Sequence, residues 1–130
     1  MITKIKPDPQ KSESLKRMAE ITLERLSKTQ IEDYPSNTLV DYYDIIHKLM
    51  EALTLKAGIK IKDEGAHQEL IDYIAKAHKL NEQTRQFLQQ MRDYRNRISY
   101  EGFMVHKNYI LLNKEKITSI ISFLSNKLGQ

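Results

Sequence analysis

The chain has 130 residues, 21 Lys/Arg against 17 Asp/Glu for a formal charge of +4, and no cysteine. That length makes one domain with a real core, and the missing thiols exclude disulfide frameworks, thiolate zinc sites and cysteine nucleophiles. The longest apolar run, residues 109–112, is far too short to span a membrane, and the opening MITKIKPDPQ lacks the apolar stretch of a secretory signal, so a cytoplasmic protein is expected.

Residues 1–8 read as a flexible leader closed by Pro7-Asp8-Pro9, and residues 9–130 as one domain. Asp8 caps a first helix with Pro9 at its first position. Leu15, Met18, Thr22 and Leu26, with Ala19 and Leu23 beside them, keep helical spacing to about residue 28. Tyr34-Pro35 breaks the chain, and Ser36 or Asn37 is placed to cap the next helix. Leu39, Tyr42, Tyr43, Ile46, Leu49, Met50 and Leu53 form the stripe of this second helix, stopped at Gly58. Residues 59–65 alternate weakly and read as a loop. A third helix over 66–80 buries Leu70, Ile74, Ala77 and Tyr73. Asn81 caps a fourth, with the stripe Thr84, Phe87, Leu88, Met91, Tyr94 and Ile98; Gly102 ends it. Residues 103–112 read as irregular with one short turn. Asn113 caps a last helix that buries Ile117, Ile120, Ile121, Leu124 and Leu128. The expected fold is all-α: a four-helix up-and-down bundle with one additional short helical segment.

Charge is uneven: +3 over 1–30, −3 over 31–65, +1 over 66–102 and +3 over 103–130. A basic excess permits a phosphate-bearing partner without demanding one. The densest chemistry is Met91-Arg92-Asp93-Tyr94-Arg95-Asn96-Arg97-Ile98-Ser99-Tyr100-Glu101-Gly102. With Phe87 at zero on a helical wheel, Arg95 falls near 80°, at the edge of the apolar stripe. A guanidinium there pairs with a carboxylate such as Glu101 or Asp72, or faces an anion or a partner subunit.

Arg95-Asn96-Arg97-Ile98-Ser99-Tyr100, with four residues between Arg95 and Tyr100 and then Glu101-Gly102, resembles the motif of the HEPN superfamily, small helical bundles of prokaryotic toxin–antitoxin and defence modules. Its signature is Arg, often Asn, then a His four to six residues on. The resemblance implies a homodimer, metal-independent RNA cleavage with Arg holding the phosphate, and no cofactor. Arg95, Asn96, Tyr100 and His106 are then the catalytic candidates, and Arg92, Arg95, Arg97 and Tyr100 the RNA- or nucleotide-binding ones. Tyr100 stands where the family has its His. A tyrosine with a reference pKa near 10 is a poor general base at neutral pH. Three readings are open: weakened activity, His106 folding back to serve, or a non-catalytic member, the last being favoured. Similar bundles also accompany small nucleotidyltransferases, which makes a partner or substrate-binding subunit the alternative. A plain helical interaction domain is the third functional reading.

Other constellations weigh less. His47 and Glu51, one turn apart, are a chance-level metal pair, and no metal site is expected. His67 and His78 share a helix face too far apart for one ion. Asp41 and Asp44 read as a solvated face. Tyr42, Tyr43, Tyr94 and Tyr100 are placed either to pack helices or to stack bases. No Gly-rich phosphate loop or serine nucleophile elbow is present.

Overall fold

The computed structural model describes residues 1–62 and 66–130. It is all-α with one small ribbon. In chain order come β1 (Ile2–Lys4), α1 (Pro9–Ser27), a single 3-10 turn (Ile31–Asp33), α2 (Pro35–Ala57), β2 (Ile59–Ile61), α3 (Ala66–Ala77), α4 (Glu82–Glu101) and α5 (Lys107–Leu128).

The helix ends obey local chemistry. Asp8 accepts from the Lys11 N–H at 3.0 Å with Pro9 just inside α1, and Asn81 accepts from the Thr84 N–H at 2.8 Å to start α4. Truncating Asn81 to alanine is expected to cost about 1 kcal/mol of stability in urea unfolding. Gly58 and Gly102 close α2 and α4 in the left-handed region. Two expected caps fail. Tyr34 occupies the start of α2 without a side-chain bond, while the Ser36 hydroxyl instead accepts from the Val105 N–H at 3.0 Å. Asn113 lies inside α5 and donates to the Tyr109 carbonyl at 2.8 Å, because His106 caps that helix about two turns earlier. The irregular stretch therefore shrinks to 102–106.

The expected leader is tied down. β1 pairs antiparallel with β2, Ile2 opposite Ile61 and Lys4 opposite Ile59, so the expected leader and loop become a two-stranded ribbon. Residues 63–65 of that loop lie outside the described residues. The chain leaves the ribbon through the Ile5 N–H, bonded to the Gly58 carbonyl, and the Asp8 N–H, bonded to the Leu55 carbonyl.

α2 is the hub, packed on α1, α3, α4 and α5. The expected stripe is buried, and so are Ile45, Ala52, Thr38 and Thr54, because neighbours on several sides leave no wide solvent face. Ser12 of α1, also buried, donates to the Ala52 carbonyl at 2.7 Å. α3 turns Ile71 and Ala75 inward beside Leu70 and Ile74, and leaves Ala77 exposed, contrary to its expected place. Phe87, Leu88 and Met91 of α4 meet this core, as do Ile110, Ile117, Ile121 and Leu124 of α5. No helix among the described residues is long and apolar enough to cross a membrane.

Candidate functional site

Arg95 projects from α4 into the seam with α2. Its Nε lies 3.5 Å from Asp44 Oδ1, and its Nη1 donates to Asn96 Oδ1 at 3.4 Å. Both distances are long for hydrogen bonds to a charged group. Nε itself is buried without a hydrogen-bond partner. The expected partner Asp72 is taken by Arg85, 3.0 Å away. Asp41 pairs with Arg25 at 2.9 Å, so Asp41 and Asp44 serve ion pairs on different neighbours rather than a purely solvated face.

The remaining motif residues disperse. Arg92 lies one turn before Arg95 and bonds Gln89 Oε1 through Nε at 3.0 Å. Arg97 turns to the other side, its guanidinium 4.2 Å above the Phe103 ring. Tyr100 is 79% exposed and sits about 140° around the helix from Arg95. His106 is exposed, and its Nδ1 accepts from the Asn108 N–H at 3.1 Å as the cap of α5. Among the described residues, no hydrogen bond joins either ring to the Arg95 guanidinium. Tyr42 and Tyr43 are buried in the core, and Tyr94 packs on Phe103 and Tyr109; of these four tyrosines only Tyr100 offers its face to solvent.

The groups that do gather near Arg95 come from α2 and α3. Tyr43, His47 and Glu51 succeed one another at four-residue steps along one face of α2. His47 Nδ1 donates to Glu51 Oε1 at 2.9 Å. From α3, His67 lays its ring on that of His47, with centroids 4.1 Å apart and planes 20° apart. The Tyr43 ring completes the row, 6.2 Å from His47 and 6.4 Å from His67. Arg92 and Arg95 act electrostatically on both Tyr43 and His67, so the α4 arginines and the α2–α3 histidines share one neighbourhood. A cleft of about 390 Å³ opens beyond the histidines, between α2, the ribbon and α3, with Lys6, Lys11 and Lys60 on its walls.

Electrostatics reflect this geometry. The bond from His47 holds the Glu51 carboxyl below its ordinary value. Burial, then the nearby His47 and Arg95 charges, pushes His67 below the usual imidazole range. Burial pushes the Tyr43 phenol up to about 12, against the opposing pull of Arg92 and Arg95. The Tyr43 hydroxyl is buried with no hydrogen-bond partner. A raised folded-state pKa means the unfolded chain loses its proton first as pH climbs past 10, so stability falls between pH 10 and about 12. Tyr43→Phe is therefore expected to leave neutral-pH stability equal or higher by about 1 kcal/mol, since it deletes an unsatisfied group. It should also flatten the alkaline decline of stability by up to about 2 kcal/mol, read from thermal midpoints across that range. Tyr109, likewise held near 12 by burial, keeps part of that decline.

The sequence marks His47 and Glu51 only as a metal pair; in the structure they are a hydrogen-bonded dyad. Among the described residues no group of three or more His, Asp and Glu converges as metal ligands. His67 has the sequence signature of a plain surface or core residue. No local signal joins it to His47, twenty residues away, except that both rings lie beside polar or basic neighbours that the fold brings together. No family model, curated protein or solved structure matches the chain.

Proposed function

We propose that this chain is a HEPN-like, cytoplasmic RNA-binding module, its long helices arranged as an up-and-down bundle. In this reading Arg95, supported by Arg92, receives a phosphate of single-stranded RNA at the seam of α2 and α4. The observation that carries it is the state of the Arg95 guanidinium: half-buried, aligned by Asp44 and Asn96 at long range, and with its buried Nε unsatisfied. A planar fork of five donors kept so lightly engaged at a protein surface suits an incoming oxyanion. Labelled single-stranded RNA should bind the full chain with an affinity that declines as salt rises. Arg95→Ala should weaken binding about tenfold or more while the far-ultraviolet circular dichroism stays native. Equal binding by wild type and Arg95→Ala would sink the reading, and so would a variant that unfolds while Arg95→Lys binds normally.

A second surface favours a protein partner. Tyr100, Met104, Leu111 and Leu112 are exposed by 79, 80, 58 and 82% between the end of α4 and the first turns of α5. Large apolar side chains at such exposure suit an interface. A second copy of this chain is the occupant that fits the motif resemblance, and a nucleotidyltransferase chain is the alternative. Leu112→Glu is expected to shift the mass seen by light scattering from dimer to monomer. A wild type that is already monomeric and stays so with RNA removes the homodimer.

A further inference from the structure

We infer that His47 and His67 form the acid–base pair of a metal-independent RNA-cleaving site in the cleft between the ribbon, α2 and α3, doing the proton transfers for which the α4 motif supplies no histidine. This rests on the RNA-binding reading and adds a chemistry to it.

Three observations carry the assignment. His47 has its Nδ1 committed to Glu51 at 2.9 Å, which fixes the ring and leaves Nε2 as the one nitrogen free for a substrate. The two rings are stacked at 4.1 Å and both line the cleft. That places two proton-transfer groups in one cleft. Finally, the cleft wall offers neither a thiol nor a free hydroxyl as nucleophile. The chain has no cysteine, and the one hydroxyl on the cleft wall, that of Thr54, is donated to the Glu51 carbonyl at 2.9 Å. Such a site suits a substrate that brings its own hydroxyl nucleophile. A ribose 2′-hydroxyl beside its own phosphodiester is such a group. Lys6, Lys11 and Lys60 on the walls and Arg92 and Arg95 near His67 supply positive charge for the phosphate.

The step balances without any further reactant. Neutral His67 takes the proton of the 2′-hydroxyl as O2′ bonds to phosphorus. The bond from phosphorus to O5′ breaks with its electron pair on O5′, which takes a proton from protonated His47. The products are a 2′,3′-cyclic phosphate and a 5′-hydroxyl end; His67 has gained the proton that His47 gave up, and exchange with water resets both. The roles are set by the surroundings. Burial and the neighbouring positive groups favour the neutral ring at His67, and the Glu51 carboxylate faces the ring of His47. Glu51 is a positioning residue, touching His47 and not the reacting atoms.

The test uses the full chain in EDTA with a labelled single-stranded RNA and its 2′-O-methyl counterpart, which binds but has no nucleophile. Wild type is expected to cleave the RNA to cyclic-phosphate ends and to bind the 2′-O-methyl strand intact. His47→Gln and His67→Gln should each slow cleavage by about 10²–10⁴-fold with binding unchanged. Glu51→Gln should lower kcat and leave KM alone. If His47→Gln fails to fold, the exposed His67 decides the matter by its own variant. Wild type that binds the 2′-O-methyl strand but never cleaves RNA overturns the assignment and leaves the binding reading standing. Histidine variants that cleave at the wild-type rate do the same. Wild type that does not bind the 2′-O-methyl strand overturns both.

Discussion

Gly58→Ala is expected to destabilise the fold by about 2–4 kcal/mol, against about 1 kcal/mol for Gly102→Ala. Both glycines end a helix with positive φ, 75° at Gly58 and 70° at Gly102, so both variants carry the left-handed penalty. They differ in what a methyl would meet. At Gly102 nothing lies within 4 Å, whereas at Gly58 a Cβ would sit 2.8 Å from the Ile5 carbonyl oxygen and 3.2 Å from the Pro7 ring. That carbonyl is backbone, and the segment bearing it is fixed by the Ile5–Gly58 and Asp8–Leu55 hydrogen bonds. The methyl therefore displaces the ribbon rather than a flexible side-chain tip. Urea unfolding of the two variants side by side isolates the steric part, since the backbone penalty is common. Equal losses would show that the ribbon yields freely.

Arg95→Met is expected to separate stability from binding: RNA affinity falls about tenfold or more, while stability holds or rises by up to about 1 kcal/mol. The ion pair with Asp44 is long at 3.5 Å, with side chains 23% and 37% exposed, so solvent screens it and it contributes little. The buried Nε lacks a hydrogen bond and costs desolvation. A methionine of similar length keeps the packing in the α2–α4 seam and removes that cost. Chemical denaturation measures the first quantity and fluorescence anisotropy with labelled RNA the second. A loss of several kcal/mol would make Arg95 a structural residue and leave its charge without a functional role.

The helices are legible in the sequence because their signals are local. Asp8 with Pro9, Asn81, and the two stop glycines act within a turn of where they stand. The periodic stripes of α4 and α5 report a face that is buried whichever neighbour covers it. The ribbon is not legible: β1 and β2 are three residues each, and Thr3 finds its partner Lys60 57 positions away. The start of α5 is misplaced because Asn113 looks like a cap, and only the fold shows that His106 already fills that place. The breadth of α2's burial is hidden for a related reason. A stripe presumes one covered face, and Ile45 and Ala52 are covered from others. As for the candidate site, the sequence puts Arg95 at the edge of the apolar stripe and offers Glu101 or Asp72 as its carboxylate, where the structure has Asp44. His67 escapes because stacking on His47 depends on how α3 lies against α2, which no spacing along the chain encodes.

The enclosure of α2 also sets a time scale for the parts of the site. Helical amides enclosed on several sides exchange their hydrogens only when the whole molecule opens. The slowest-exchanging amides should therefore cluster over residues 42–53 of α2, whose apolar side chains are almost completely withdrawn from solvent. His47 and Glu51 ride on that slow body. His67 rides on the first turn of α3, a twelve-residue helix resting on α2, α4 and β2. Should α3 open by itself, the row of rings would come apart at a single joint, His67 swinging away while the dyad on α2 keeps its alignment.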